Sequence, residues 1–217
     1  MKQFFNIVLP MAGRGSRFRQ KGYKDSKPFI DVEGKPMIRR VIENLNIEFD
    51  KNFKFIILCQ KADYEQYDFS IFNEIIGHDN IEIIKLDGIT EGAACTALLA
   101  KAHINNDAPL FFANSDQFVE WDPNEFFYKM NETEADGGIV SFKATHPKLS
   151  FAKVNEEGNI TEVAEKNPIS DNATVGFYFW RKGADFVKYA EQMIERDMRV
   201  NNEFYVCPVF KIGRAHV

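Results

Sequence analysis

The sequence predicts an α/β fold: three layers, α/β/α, built on a mixed, mostly parallel central sheet. Three observations carry that expectation. Short apolar runs alternate with segments of helical spacing through the first half of the chain, in the β-α-β-α-β-α-β order that a parallel sheet with helices on both faces requires. The first run, Ile7-Val8-Leu9, is short, β-branched and apolar, as a strand buried on both faces should be. At 217 residues, 45% apolar and 27% charged, the chain has the length and composition to bury one core.

Taken in order, residues 7–9 are the first strand, and 29–32 are a short apolar piece punctuated by Gly34-Lys35-Pro36. Met37, Val41, Ile42 and Leu45 then recur at helical spacing, and Pro36 suits a first helical position. Residues 53–58 read as the second strand, 64–76 as one helix with aromatics along one side, and 81–86 as the third strand. A helix over 92–100 opens on Gly92 and is rich in small residues. The fourth strand, 109–113, ends at Asn114-Ser115-Asp116. Ligands in such sheets bind beyond the carboxyl ends of the strands. The glycine turn after the first strand, Gly92 and Asp116 are therefore expected on one edge. In the second half, 126–131 is a short helix, 138–143 a strand, and 151–155 with 159–165 a hairpin around Glu157-Gly158. A strand over 174–180, in which Gly176 allows close backbone approach, precedes a helix over 184–193. No linker, repeat or low-complexity segment interrupts this order, so residues 1–210 are expected to form a single domain.

The bulk numbers exclude several classes of function. A formal net charge of −5 argues against broad binding to nucleic acid or an anionic membrane, so a nucleotide would have to be met by a local basic pocket. The 21 phenylalanines read as core packing. Cys59, Cys95 and Cys207 are far apart and form no CxxC, which fits a reducing cytoplasm and three small buried hydrophobes. His78, His103, His146 and His216 have no metal-ligand spacing. Residues 4–12 mimic a short signal peptide, but Asn6 interrupts them and they read as a strand. No run is long enough to span a bilayer. Residues 211–217, KIGRAHV, resemble a translated sequencing adapter, so the natural C-terminus is expected to be missing.

The chemistry concentrates after the first strand. Small residues from Ala12 to Ser16 let backbone N–H groups turn towards a phosphate with no Cβ in the way. Arg14, Arg17 and Lys27 add positive charge suited to a polyanion. Gly13-x-Gly15-x-Arg17 followed by Lys27-Pro28 is not a Walker A pattern, which ends Gly-Lys-Ser/Thr. It is not a dinucleotide fingerprint either, which needs Gly where Phe18 stands.

LPMAGRGSRF, then KPFIDVEGKPMI, resembles the opening of the sugar-phosphate nucleotidyltransferases, the nucleotide-sugar pyrophosphorylase-like enzymes that join a nucleoside triphosphate to a sugar 1-phosphate or related phosphoester. The likeness runs over residues 2–210 and implies a Rossmann-like, GT-A-like fold, with a nucleotide-binding half over about 1–120 and a small acceptor-binding β subregion within about 121–210. It implies that Arg17 holds the β- and γ-phosphates and that Lys27 sits by the α-phosphate and the incoming phosphate. Ala12, Gly13, Arg14, Gly15, Ser16 and Gln60 would face the nucleotide. Thr90-Glu91-Gly92-Ala93-Ala94 resembles the segment whose backbone meets the pyrimidine ring, although such small residues also suit tight helix–sheet packing. Asp116 suits Mg²⁺, which keeps waters and shares phosphate oxygens; the other reading is a capping or turn aspartate. A second ligand is expected near the end of the fold, with Asp122 and Glu203 as fallbacks. Glu165-Lys166, with Asn167 before Pro168, resembles the family's Glu-Lys-Pro element on the acceptor. Gly176 and position 139, in the Gly138-Ile139 step, join that set, and Glu203-Phe204-Tyr205 resembles a late element packing near the acceptor. The polar stretch from Arg17 to Lys27 is expected to order only when a triphosphate binds.

LPMAGRGSRF and EFYVCPVF further resemble the branch found in capsule and lipopolysaccharide gene clusters, some of whose members use CTP and non-sugar phosphoesters such as phosphocholine. The partners implied are a nucleoside triphosphate, Mg²⁺ and a phosphorylated small-molecule acceptor, with room for a homo-oligomer. Two other readings stand beside this one. A nucleotide-sugar-dependent glycosyltransferase would usually carry Asp-x-Asp, where this chain has Asn114-Ser115-Asp116. A non-catalytic nucleotide-binding regulatory subunit would not need Arg17, Lys27 and Asp116 together.

Overall fold

The computed structural model describes residues 5–13, 15–45, 53–77 and 80–213. Strand β1 (Phe5–Pro10) leads into the glycine turn and the short helix α1 (Ser16–Gln20). A 3-10 turn (Lys27–Phe29), the small hairpin β2 (Asp31–Val32) and β3 (Lys35–Pro36), and α2 (Met37–Asn44) follow. Next come β4 (Phe53–Gln60), α3 (Lys61–Gln66), α4 (Ser70–Ile76) and β5 (Ile81–Leu86). Helices α5 (Ala93–Leu98) and α6 (Lys101–Ile104) precede β6 (Leu110–Ala113). The second half contains α7 (Pro123–Glu132), β7 (Gly137–Lys143), β8 (Ser150–Val154), β9 (Ile160–Glu165), β10 (Asn172–Trp180), α8 (Gly183–Glu195) and α9 (Val209–Gly213).

One mixed sheet runs β5-β4-β1-β6-β10-β8-β9, with β7 also paired to β10. The neighbours β5, β4, β1 and β6 are parallel, while β10 joins β6, β7 and β8 in antiparallel fashion. Successive side chains of a strand point to opposite faces. Ile7 and Leu9 accordingly pack with Phe55, Ile57 and Phe111 on one side, beneath Ile38 and Val41 of α2 and Phe72 of α4. Val8 packs with Ile56, Leu58 and Phe112 on the other, against Phe186, Ala190 and Met193 of α8. Both faces of β1 are therefore dry, which explains its unbroken apolar run. Among the described residues no helix is long and apolar enough to cross a membrane.

Three local expectations need correction. The helix expected over 64–76 is two, because Tyr67 is extended (φ −110°, ψ 155°) and its ring stacks on Phe29 at 4.1 Å. The Asp68 carboxylate then accepts the Ser70 N–H at 2.9 Å and helps start α4. Pro36 is the residue before α2 rather than its first turn, with ψ at 141°. The helix expected over 92–100 stops at Leu98, and a turn separates it from α6. Separately, the first residues of the stretch that resembles an adapter, 211–213, lie in α9, with Ile212 buried.

Candidate active site

Because β1, β4, β5 and β6 are parallel, their C-terminal ends share one edge, and a cleft of about 580 Å³ opens there. The turn after β1 lines it with Gly13, Gly15, Ser16 and Arg17. Gly15 is in the left-handed region (φ 57°), and a Cβ on it would stand 3.0 Å from the Lys27 Cβ. Glycine thus both permits the turn and lets the Lys27 segment pack against it. The end of β6 contributes Asn114, Ser115 and Asp116, and the start of α5 contributes Ala93. Ser115 Oγ donates to the Pro10 carbonyl at 3.5 Å, tying the ends of β6 and β1 together. Asp116 forms an ion pair with the Lys27 ammonium.

The opposite wall comes from the antiparallel half: Lys148, Ser150, Glu165, Lys166, Gly176, Tyr178, Glu203 and Tyr205. Lys166, just after β9, has positive φ (54°), and its N–H donates to the Leu149 carbonyl at 2.9 Å. Its ammonium meets the Tyr205 hydroxyl, which donates to Glu203. Burial pushes the Glu165 carboxyl up, and the nearby Glu203 charge pushes the same way; the Ser150 hydroxyl that donates to it and the Lys166 charge oppose this. Burial likewise raises the Tyr205 phenol, with the Glu203 carboxylate adding to the shift. A floor of cations with carboxylates and hydroxyls around it suits a phosphorylated ligand that also carries hydrogen-bonding groups.

The profile described as nucleotidyl transferase matches residues 6–206. The chain belongs to that family. It is 27% identical over 182 residues to the bifunctional protein GlmU of Methanocaldococcus jannaschii, covering 82% of this chain and 40% of that protein. The chain thus spans about two-fifths of the length of the curated relatives it matches. A nucleoside-diphosphate-sugar pyrophosphorylase from Vibrio cholerae RC9 superposes with a TM-score of 0.78 at 23% identity, covering 97% of this chain and 88% of that one. The inositol-1-phosphate CTP transferase from T. maritima gives 0.72 at 14% identity, covering 99% and 83%. These likenesses establish the Rossmann-like nucleotidyltransferase fold.

Within this nucleotidyl transferase fold, the cleft gathers Gly13, Gly15, Ser16, Arg17, Lys27, Ala93, Asp116, Glu165, Lys166 and Gly176 from the residues singled out in the sequence. Others stand apart from its lining. Gln60 Nε2 donates to the Ala12 carbonyl at 2.8 Å and to that of Gly88 at 3.1 Å, joining the loops after β1 and β5. Glu91 pairs with Arg199 at 2.6 Å. Gly92 is a packing joint: the Phe204 N–H donates to the Glu91 carbonyl at 2.7 Å and the Ala94 N–H to that of Phe204 at 3.0 Å. Ile139 pairs with Tyr178 in the sheet and packs against the core, outside the cleft's lining. Asp122 is the N-cap of α7, accepting the Asn124 N–H at 2.9 Å, so its carboxylate is occupied by backbone. Arg14, His78 and His216 lie outside the described residues.

Lys148, Ser150 and Tyr178 went unread in the sequence. Tyr178 sits in a mostly apolar strand, and nothing local to Lys148 or Ser150 distinguishes them; pairing of β8 with β9 and β10 brings Ser150 in, with Lys148 just before it. Among the described residues no group of three His, Cys, Asp or Glu converges as a metal site. Asp116, a hard carboxylate beside the glycine turn, suits a cation such as Mg²⁺, whose shell would be completed by phosphate oxygens and water.

Proposed function

We propose that this chain transfers a nucleoside monophosphate from CTP, UTP or dTTP to a sugar 1-phosphate or related phosphoester and releases pyrophosphate. One observation carries the reading: Arg17, Lys27 and Asp116 share a cleft with Glu165 and Lys166, so a triphosphate and a second phosphate can meet there. A phosphate oxygen of the acceptor attacks the α-phosphorus in line, and the bond to the β-phosphate oxygen breaks. The attacking oxygen is already anionic, so no side-chain nucleophile is needed. Catalysis is then positioning and charge stabilisation.

Arg17 is assigned the β- and γ-phosphates and the negative charge that grows on departing pyrophosphate. Lys27 is assigned the α-phosphate, where it offsets repulsion between the two anions. Lys166 is assigned the acceptor's phosphate and Glu165 its hydrogen-bonding groups. Asp116 would hold Mg²⁺, which when bound supplies charge neutralisation of the phosphate oxygens. A soluble triphosphate donor suits a cytoplasmic enzyme, and the sequence resemblance suits precursor synthesis for a surface polysaccharide or lipopolysaccharide.

The test incubates the protein with each triphosphate and Mg²⁺ against a panel of sugar 1-phosphates and other phosphomonoesters. Acceptor-dependent pyrophosphate release is expected. Release of a nucleoside diphosphate from a nucleotide sugar would instead indicate a glycosyltransferase, and binding without turnover a regulatory subunit.

A further inference from the structure

Lys27 follows a residue gripped twice, by Asp63 of α3 and by Tyr67 at the end of that helix. Ser26 Oγ donates to Asp63 Oδ1 at 2.5 Å, and the Ser26 N–H donates to the Tyr67 hydroxyl at 2.8 Å. That hydroxyl passes its own proton towards Asp25 Oδ1 at 3.3 Å. On the far side of Lys27, the Phe29 ring lies flat on the Tyr67 ring, 4.1 Å between centroids and 1° between planes. Asp63 is only 7% exposed. A carboxylate so buried is costly without a hydrogen-bond donor, and the Ser26 hydroxyl is one. The residue just before that helix is Gln60, whose amide holds the Ala12 carbonyl in the turn after β1. One short element therefore touches the phosphate turn at one end and the lysine segment at the other.

We propose that Asp63 and Tyr67 are positioning residues: α3 is a strut that sets the Lys27 ammonium in the cleft before any nucleotide arrives. The inference rests on the reading that Lys27 serves phosphoryl transfer. It replaces the expectation that the segment from Arg17 to Lys27 orders only on a triphosphate. Reacting groups lose large factors in rate when misplaced by about 1 Å, so slack at Ser26 is felt in turnover.

Ser26→Ala, Asp63→Asn and Tyr67→Phe in the whole chain test this. Tyr67→Phe keeps the ring on Phe29 and removes only the hydroxyl contacts. Each variant should lower kcat for pyrophosphate release by roughly 10- to 100-fold while KM for the triphosphate moves less than about 3-fold. Combining Tyr67→Phe with Lys27→Ala should be no slower than Lys27→Ala alone, because the strut acts through the lysine. Hydrogen exchange at the peptide containing Ser26 should quicken in each variant, a readout independent of catalysis. Should Asp63→Asn fail to fold, Ser26→Ala and Tyr67→Phe break the same clamp from less buried positions. Unchanged exchange, or losses that multiply with Lys27→Ala, would overturn the inference. A fully active Lys27→Ala would bring down the reading of the site itself, whereas a crippled Lys27→Ala beside unimpaired clamp variants would bring down only the strut.

Discussion

Lys27 and Asp116 form an ion pair at the cleft, one from the segment after α1 and the other from just beyond the end of β6. In the free protein each neutralises the other. A triphosphate bound as proposed would part them, the lysine going to phosphate and the aspartate to the metal. The pair joins the two halves of the proposed chemistry before substrate is present.

Removing either charge should therefore cost activity and little stability. The two side chains are 24% and 31% exposed, and a pair this wet contributes about 0–1 kcal/mol. Asp116→Ala should cut pyrophosphate release by at least about 100-fold. Its melting temperature should stay within about 4 °C of the wild type. Arg17→Ala should behave alike, and wild-type turnover in either would count against the site.

Glu165 ties stability to pH. Burial raises its proton affinity in the folded protein above that of the unfolded chain. The stability it contributes is then complete below the ordinary Glu value of about 4.3 and is lost as pH rises through the higher folded value. Glu165→Gln resembles the protonated form. The variant should melt above the wild type at pH 7 to 8, and the gap should close on approaching pH 4. A gap that stays constant across that range would remove burial as the cause.

Gly92 should resist substitution for a reason unrelated to nucleotide. Its φ is 125°, and a Cβ would stand 2.6 Å from the Phe204 nitrogen and 2.9 Å from the Phe204 carbonyl carbon. Backbone cannot swing aside as a side chain can. Gly92→Ala should lower unfolding free energy by roughly 2 kcal/mol or more, read as a fall in the urea midpoint at unchanged slope.

Asp122 and Asp116 should separate cleanly by the same two assays. Asp122 caps α7, so Asp122→Ala should lose about 1 kcal/mol in urea unfolding. Its pyrophosphate release should stay at the wild-type level, since the side chain does not line the cleft.

Much of this protein was legible as sequence. Ile7-Val8-Leu9 running into a small-residue turn specified a buried strand and the anion-friendly loop after it, and the alternation of segments specified the parallel β5-β4-β1-β6 half. Parallel order in turn puts the ends of β1, β5 and β6 on one edge, so Arg17 and Asp116 could be assigned to one rim from spacing alone. These features are local: each depends on a few neighbouring residues and a backbone period. The tertiary structure alone decided what links segments far apart in the chain. It placed β10 antiparallel against β6, which with β8 and β9 brings Glu165 and Lys166 to the cleft, and it docked Phe204 on the Glu91–Ala94 backbone, which brings Tyr205 there. It broke the 64–76 helix so that Tyr67 could stack on Phe29, and it set Asp63 beneath Ser26. No local period encodes such contacts, because each exists only once distant segments have packed and a buried polar group has found its partner.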